Sequence, residues 1–141
     1  MSSSKQDSPR TKILVADDLR DAAVSLALLL ELCGAEVCSA FGGEETLGVA
    51  EGFRPDVVLL DISMPRLNGY EVARRLRTQP WGREMILLAL TGWGRTADLT
   101  AAHEAGFDGY LLKPVAADQV FATIARLRAR RAALPAAPSA P

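Results

Sequence analysis

The sequence predicts an α/β fold: a single doubly wound (βα)5 domain, with a parallel five-stranded sheet covered by helices on both faces. Three observations predict it. Short runs of branched apolar residues alternate with longer stretches whose apolar positions recur at helical spacing. The alternation repeats five times, and a strand-helix alternation of that kind builds a parallel sheet with helices on both faces. Gly or Pro punctuates most of the boundaries.

The elements follow in order. Lys12–Ala16 (KILVA) is a buried strand. Residues 19–33 carry helical apolar spacing and stop at Gly34. Glu36–Ala40 is the second strand, and residues 43–51 form a helix closed by Gly52. Residues 56–60 (DVVLL) are the third strand. Residues 68–78 form a helix with Asn68 as its N-cap and Pro80 just beyond it. Residues 85–90 are the fourth strand, residues 95–105 a helix ended by Gly106, and Gly109–Leu112 the fifth strand. Residues 116–131 form the last helix, with Asp118 at its positive end. The Ser-rich segment 1–10 and the Ala/Pro-rich segment 132–141 lack periodicity and are expected to be flexible tails around a domain at 11–131.

Composition sets limits on function. The 141 residues suit one domain, and 49 % hydrophobic with 23 % charged residues is ordinary for a globular protein. A formal net charge of −1 argues against direct nucleic-acid binding, which draws on a basic excess. Cys33 and Cys38 make no disulfide framework, and with His103 as the sole histidine they make no zinc site; both read as small core hydrophobes. The polar N-terminus lacks a secretory apolar region, and no window spans a membrane, so a cytoplasmic location is expected.

In a sheet of this kind ligands sit beyond the carboxyl ends of the strands. Asp17 and Asp18 follow the first strand, Asp61 the third, Thr91 the fourth and Lys113 the fifth, with Pro114 after it. Any one of these could be a cap or turn residue. All of them together at matching ends describe a site. Three carboxylates in one place repel one another, and a hard divalent cation such as Mg²⁺ relieves that repulsion. A lysine beside them pairs with an oxyanion. The set suits phosphoryl transfer, in which a carboxylate is itself the nucleophile.

The segments VADD (15–18), VVLLDISMPRLNGYE (57–71), LALTG (88–92) and GYLLKPV (109–115) resemble the receiver domain of two-component response regulators, over about residues 11–131. The ALTGWG stretch is most similar to receivers attached to, or working beside, hybrid sensor kinases. The resemblance implies a flavodoxin-like fold with strand order 2-1-3-4-5. It implies that Asp61 is the phosphoacceptor, that Asp18 binds Mg²⁺ directly and Asp17 beside it, and that the backbone carbonyl of Ser63 is the third protein ligand. Thr91 matches the switch hydroxyl, Tyr110 the aromatic that turns inward with it, and Lys113 the lysine that pairs with a phosphoryl oxygen across a cis Lys113–Pro114 bond. Pro65 and Gly69 match residues that shape the loop after the phosphoacceptor. Gly92, Trp93 and Ser63 depart from the commonest residues there, which bears on the rate of dephosphorylation.

The implied function is a phosphorelay: a single-domain receiver takes a phosphoryl group from the phosphohistidine of a sensor histidine kinase or histidine phosphotransfer protein. It then alters the surface of its fourth helix, fifth strand and fifth helix. It is a phosphoacceptor and not a turnover enzyme, a monomer or weak dimer, without membrane insertion. A phosphatase passing through an aspartyl phosphate is the enzymatic rival; such enzymes typically carry a second acid where this chain has Ser63. A receiver-like module that is never phosphorylated is a third reading; such modules usually lose an acid or the lysine, and Asp17, Asp18, Asp61, Thr91 and Lys113 are all present.

Other residues read as structural. His103 is a surface histidine, and Arg74, Arg75, Arg77, Arg126, Arg128, Arg130 and Arg131 form solvated helix faces. Trp81 is packing, and GGEE (42–45) lacks the GxxxxGK[ST] phosphate-loop pattern. The first helix carries two apolar stripes. Ala22, Leu26, Leu29, Leu30 and Cys33 are assigned to the core. Ala23, Val24, Ala27 and Leu28 point away from it, and in receivers like this one the first helix docks on the kinase bundle. Val24 and Leu28 are therefore expected to pack between the partner's helices.

Overall fold

The computed structural model of the chain describes residues 10–92 and 99–133. The elements are β1 (Lys12–Ala16), α1 (Arg20–Leu32), β2 (Glu36–Ala40), α2 (Gly43–Phe53), β3 (Val57–Asp61), α3 (Gly69–Thr78), a 3₁₀ turn (Pro80–Gly82), β4 (Ile86–Thr91), α4 (Leu99–Ala105), β5 (Gly109–Leu112) and α5 (Ala117–Ala133). All pairings are parallel and the order is β2-β1-β3-β4-β5, as expected for this fold. Most of the expected tails, Trp93 and residues 95–98 of the expected fourth helix lie outside the described residues.

Residues alternate between the two faces of the sheet. Ile13, Val15, Val57, Leu59, Leu88 and Leu90 pack on one face with Ala23, Leu26 and Leu30 of α1 and Val120, Ile124 and Leu127 of α5. Leu14, Ala16, Val58, Leu60, Leu87 and Ala89 pack on the other with Val72, Ala73 and Leu76 of α3 and Ala102 and Ala105 of α4. Both layers are buried, so the central strands read as continuous apolar runs.

Several boundaries differ from expectation, for local reasons. Helix α2 runs through Gly52 to Phe53 and ends at Arg54, which is left-handed at φ 54°. A helical glycine costs only about 1 kcal/mol relative to alanine. The stop comes from Pro55, whose ring disfavours the helical region for the residue before it. Strands β3 and β4 each sit one residue later than expected, which makes Asp61 and Thr91 the last strand residues.

The stripe assignment on α1 is corrected. Ala23, Leu26, Ala27 and Leu30 are buried, while Ala22, Leu29 and Cys33 are exposed. Both sets have helical spacing; the alanines at 23 and 27 let the helix lie close to the sheet, which the leucine at 29 would not. Cys33 is thus no core hydrophobe, and Cys38 is partly buried. Trp81 packs partly buried against the α3 layer.

Arg77 is not a solvated-face residue either, and Arg131, though exposed, is tied to the backbone. Arg77 donates to the carbonyls of Gly82, Arg83, Met85 and Gly106 and pairs with Asp108 at 2.9 Å. Arg131 donates to the carbonyl of Glu84 at 2.7 Å. Asp108 in turn accepts the N–H of Leu87 at 2.8 Å. These bonds tie α3, α5 and the loop before β5 to the start of β4.

Candidate functional site

The register decides which side chains meet. Asp17 extends the β1 series Ile13–Val15, Asp61 the β3 series Val57–Leu59, and Lys113 follows Leu111, so all three share the α1/α5 side of the sheet edge. Thr91 pairs with Leu112 and Ala89 with Tyr110, which puts Thr91 and Tyr110 on the opposite, α4 side. The sheet edge therefore separates a charged set from a hydroxyl-aromatic pair.

Asp17 is buried and fixed at both oxygens. Its Oδ1 accepts the N–H of Leu19 at 3.0 Å, and its Oδ2 lies 2.8 Å from Lys113 Nζ. Asp61 is also buried: Oδ1 accepts the N–H of Ser63 at 2.9 Å and Oδ2 lies 3.2 Å from Lys113 Nζ. Asp18 faces solvent. Carboxylate oxygens of Asp17, Asp18 and Asp61 all lie within 4.8 Å of one another. One ammonium against three carboxylates leaves an excess of negative charge, and the donors are all hard oxygens. This donor set fits a small divalent cation and no soft metal.

Burial pulls the Lys113 ammonium down, but its hydrogen bond to Asp17 and the charges of Asp61 and Asp17 outweigh that and hold it above the usual lysine value. Its chain position is fixed by a sheet bond from its N–H to the carbonyl of Thr91 at 2.8 Å, and the Lys113–Pro114 bond is cis.

The loop after Asp61 is held down by Gly69 at the start of α3. A Cβ there would lie 2.6 Å from Ile62 Cα and 2.7 Å from the Asp61 carbonyl oxygen, so only glycine lets α3 approach the end of β3. Asn68 caps α3 by accepting the N–H of Glu71 at 3.0 Å. Pro65 lies in this loop, exposed.

On the α4 side, Thr91 is buried and its hydroxyl has no hydrogen-bond partner among the described residues. It opens into a slot of about 140 Å³ lined by Ala89, Ala102, Phe107 and Tyr110, with His103 at the rim. Tyr70 and Phe107 meet edge to face along it at 6.3 Å. The Tyr110 side chain stays at the surface, 47 % exposed.

A second opening lies on the α1 side. It is an apolar cleft of about 440 Å³ lined by Ala22, Leu26, Leu29, Pro114 and Val115, and it reaches Asp17 and Lys113. Sequence reasoning missed it because it treated Ala22 and Leu29 as core.

The chain matches the family model described as the response regulator receiver domain over residues 13–125. It is similar to the response regulator MprA of Mycolicibacterium vanbaalenii, 41 % identical over 118 residues, covering 84 % of this chain and 49 % of that protein. The chain thus spans about half the length of the curated relatives it matches. Among solved structures, the chemotaxis protein CheY4 of Vibrio cholerae superposes with a TM-score of 0.77 at 28 % identity, covering 84 % of this chain and 98 % of that one. The receiver domain of a signal transduction histidine kinase from Syntrophus aciditrophicus gives 0.74 at 26 % identity, covering 92 % and 98 %.

Proposed function

The chain belongs to the response regulator receiver domain family, and on that premise we propose that Asp61 is the residue that accepts the phosphoryl group. As a receiver domain of a two-component system, the chain works with a histidine kinase or phosphotransfer partner. The observation that carries the assignment is the position of Asp61. It is the one carboxylate at the end of the central strand β3, beside both the lysine and the other two acids.

In the reaction, an Asp61 carboxylate oxygen attacks phosphorus and the P–N bond to the donor imidazole breaks. The imidazole leaves with the electron pair, and an aspartyl phosphate remains. Asp17, Asp18 and Asp61, with the Ser63 backbone carbonyl, would hold Mg²⁺, which screens the carboxylates from the incoming phosphoryl charge. The Ser63 N–H fixes the rotation of the Asp61 carboxylate. Lys113 turns from Asp61 to a phosphoryl oxygen while keeping Asp17 as its anchor. The Thr91 hydroxyl donates to the phosphoryl group, and Tyr110 follows it into the slot, altering the α4-β5-α5 face. The domain turns over nothing beyond its own phosphorylation and dephosphorylation.

The test is labelling with acetyl phosphate, read by intact mass. The native chain gains one phosphoryl group with Mg²⁺ present and loses the gain in EDTA. Asp61→Asn abolishes labelling. Full Mg²⁺-dependent labelling of Asp61→Asn overturns the assignment.

A further inference from the structure

The opposite end of the sheet, far from the acid cluster, carries a cleft of about 390 Å³ that the receiver chemistry does not use. It lies between the end of α2, the start of β4 and the end of α5, and its walls include Arg54, Trp81, Arg128 and Arg131, with Asp56 and Glu84 between them. Its size falls within the ~300–1,000 Å³ of small-molecule sites.

The basic residues here are held in place. Arg54 is left-handed at the end of α2, donates its Nε–H to the Glu51 carbonyl at 2.6 Å, and lays its guanidinium over the Trp81 ring at 4.7 Å. Arg131 is tied to the Glu84 carbonyl at 2.7 Å, and Arg128 reaches Thr11 Oγ1 at 3.3 Å. A guanidinium carries five N–H donors, so each of the three keeps donors beyond these bonds. One oxygen of Asp56 is taken up by the backbone N–H of Lys12 at 2.8 Å, and the three guanidiniums of the cleft outnumber the carboxylates of Asp56 and Glu84.

A flat guanidinium backed by an indole offers its outer face to a planar ring. Two further guanidiniums across the cleft offer bidentate donors to phosphate. We propose that this basal cleft binds a nucleotide, with the base stacked on Arg54 over Trp81 and the phosphates paired with Arg128 and Arg131. A bare anion would use only the arginines, and an apolar ligand would leave them unpaired; a base joined to a phosphate chain uses both walls. Arg131 also forms an ion pair with Asp108 at 3.7 Å, which links the cleft to the loop before β5.

The test uses the full chain in EDTA, so that Mg-nucleotide cannot gather at the acid cluster. ADP, adenosine and pyrophosphate are titrated separately by calorimetry. ADP binds with a Kd below about 1 mM, and adenosine and pyrophosphate each bind at least about tenfold more weakly. Arg54→Asn, which tolerates the left-handed backbone, and Arg128→Gln each weaken ADP at least about fivefold. Both variants keep native circular dichroism and acetyl-phosphate labelling of Asp61. In a Trp93→Phe background, ADP changes the emission of Trp81. Absence of ADP binding, pyrophosphate binding as tight as ADP, or ADP affinity unchanged in both folded variants overturns the proposal.

Discussion

Lys113 Nζ lies closer to Asp17 Oδ2, at 2.8 Å, than to Asp61 Oδ2, at 3.2 Å. The lysine is thus anchored to an acid that is not the proposed acceptor. It can release Asp61 without leaving the site. The same ammonium is the main offset to two buried carboxylates, and removing one partner of such a set leaves uncompensated charge. Lys113→Met is expected to lower stability by about 1–3 kcal/mol at neutral pH. That is less than the ~3–5 kcal/mol of a fully buried pair, because the lysine side chain is 26 % exposed. The pH dependence follows from its raised value. A group raised in the folded state contributes stability that is complete below its unfolded value, about 10.4 for lysine, and lost as pH rises through the folded value. Urea denaturation of both proteins therefore shows a constant gap up to roughly pH 10 that narrows above it. Millimolar Mg²⁺ also narrows the gap, by supplying positive charge to the same carboxylates. A gap that closes below the ordinary lysine range contradicts this reading.

Arg77 serves the fold as Lys113 serves the site. It joins four backbone carbonyls to Asp108 from a side chain only 20 % exposed. Arg77→Ala strands the part-buried carbonyls of Gly82 and Gly106 and leaves Met85 only its longer bond from Arg131, and is expected to cost about 2–4 kcal/mol in urea denaturation, with an unchanged m-value. Arg77→Lys recovers less than half of it, since an ammonium cannot reproduce the fork. Under native conditions both variants still take phosphate from acetyl phosphate.

Arg77 also shows where the sequence falls silent. In RRLRT it looks the same as Arg74 and Arg75, which are exposed. Its burial depends on the loop before β5 passing under α3, a contact between residues 29 positions apart. The parallel sheet and the acid cluster were legible because each strand end carries its own signal, while the strand order came with the family resemblance. Asp17, Asp61 and Lys113 are local to a strand terminus, and the parallel topology gathers termini without further instruction. The two stripes of α1 were not separable, because Ala22 and Ala23 are equally apolar and only docking against the sheet chooses between them. The α2 terminus is hard to place for a related reason: Gly52 is a local signal inside the helix, whereas the stop comes from Pro55 acting on Arg54 before it.

The Thr91 hydroxyl, buried without a hydrogen-bond partner among the described residues, gives a prediction of opposite sign to the usual polar deletion. A buried hydroxyl without a partner costs about 1–3 kcal/mol in lost hydration. Thr91→Val keeps the shape and removes that cost, so stability is expected to hold or rise by up to about 1 kcal/mol. Labelling of Asp61 persists, while the inward turn of Tyr110 is lost. Crystals grown with beryllofluoride show Tyr110 in the slot for the native chain and at the surface for Thr91→Val. Identical Tyr110 rotamers in both, free of lattice contacts, refute the coupling.

The apolar surface of α1 bears on the partner. Val24, Leu28, Leu29 and Leu32 are 40, 56, 48 and 84 % exposed, and Leu19 before the helix is 63 % exposed. Leu29 also borders the apolar cleft that reaches Lys113. An apolar surface leading to a charged site suits a docking area, because a partner seated there would be carried to the proposed acceptor. A phosphohistidine presented from a helical bundle must approach Asp61 from the sheet edge, and α1 stands beside that edge. Val24 and Leu28, one turn apart on the exposed side, are suited to pack between the bundle's helices. Neither belongs to the buried set Ala23, Leu26, Ala27 and Leu30, so changing them spares the core. The double substitution Val24→Glu and Leu28→Glu is expected to leave thermal stability and acetyl-phosphate labelling nearly unchanged. Transfer from the cognate kinase, identified by phosphotransfer profiling, slows at least about tenfold, a loss of ~1.4 kcal/mol in transition-state binding. The small-molecule donor needs no docking surface, so the contrast between the two donors isolates recognition from chemistry. Equal slowing with both donors would place the effect on the active site, and unchanged transfer from the kinase would remove α1 from the interface.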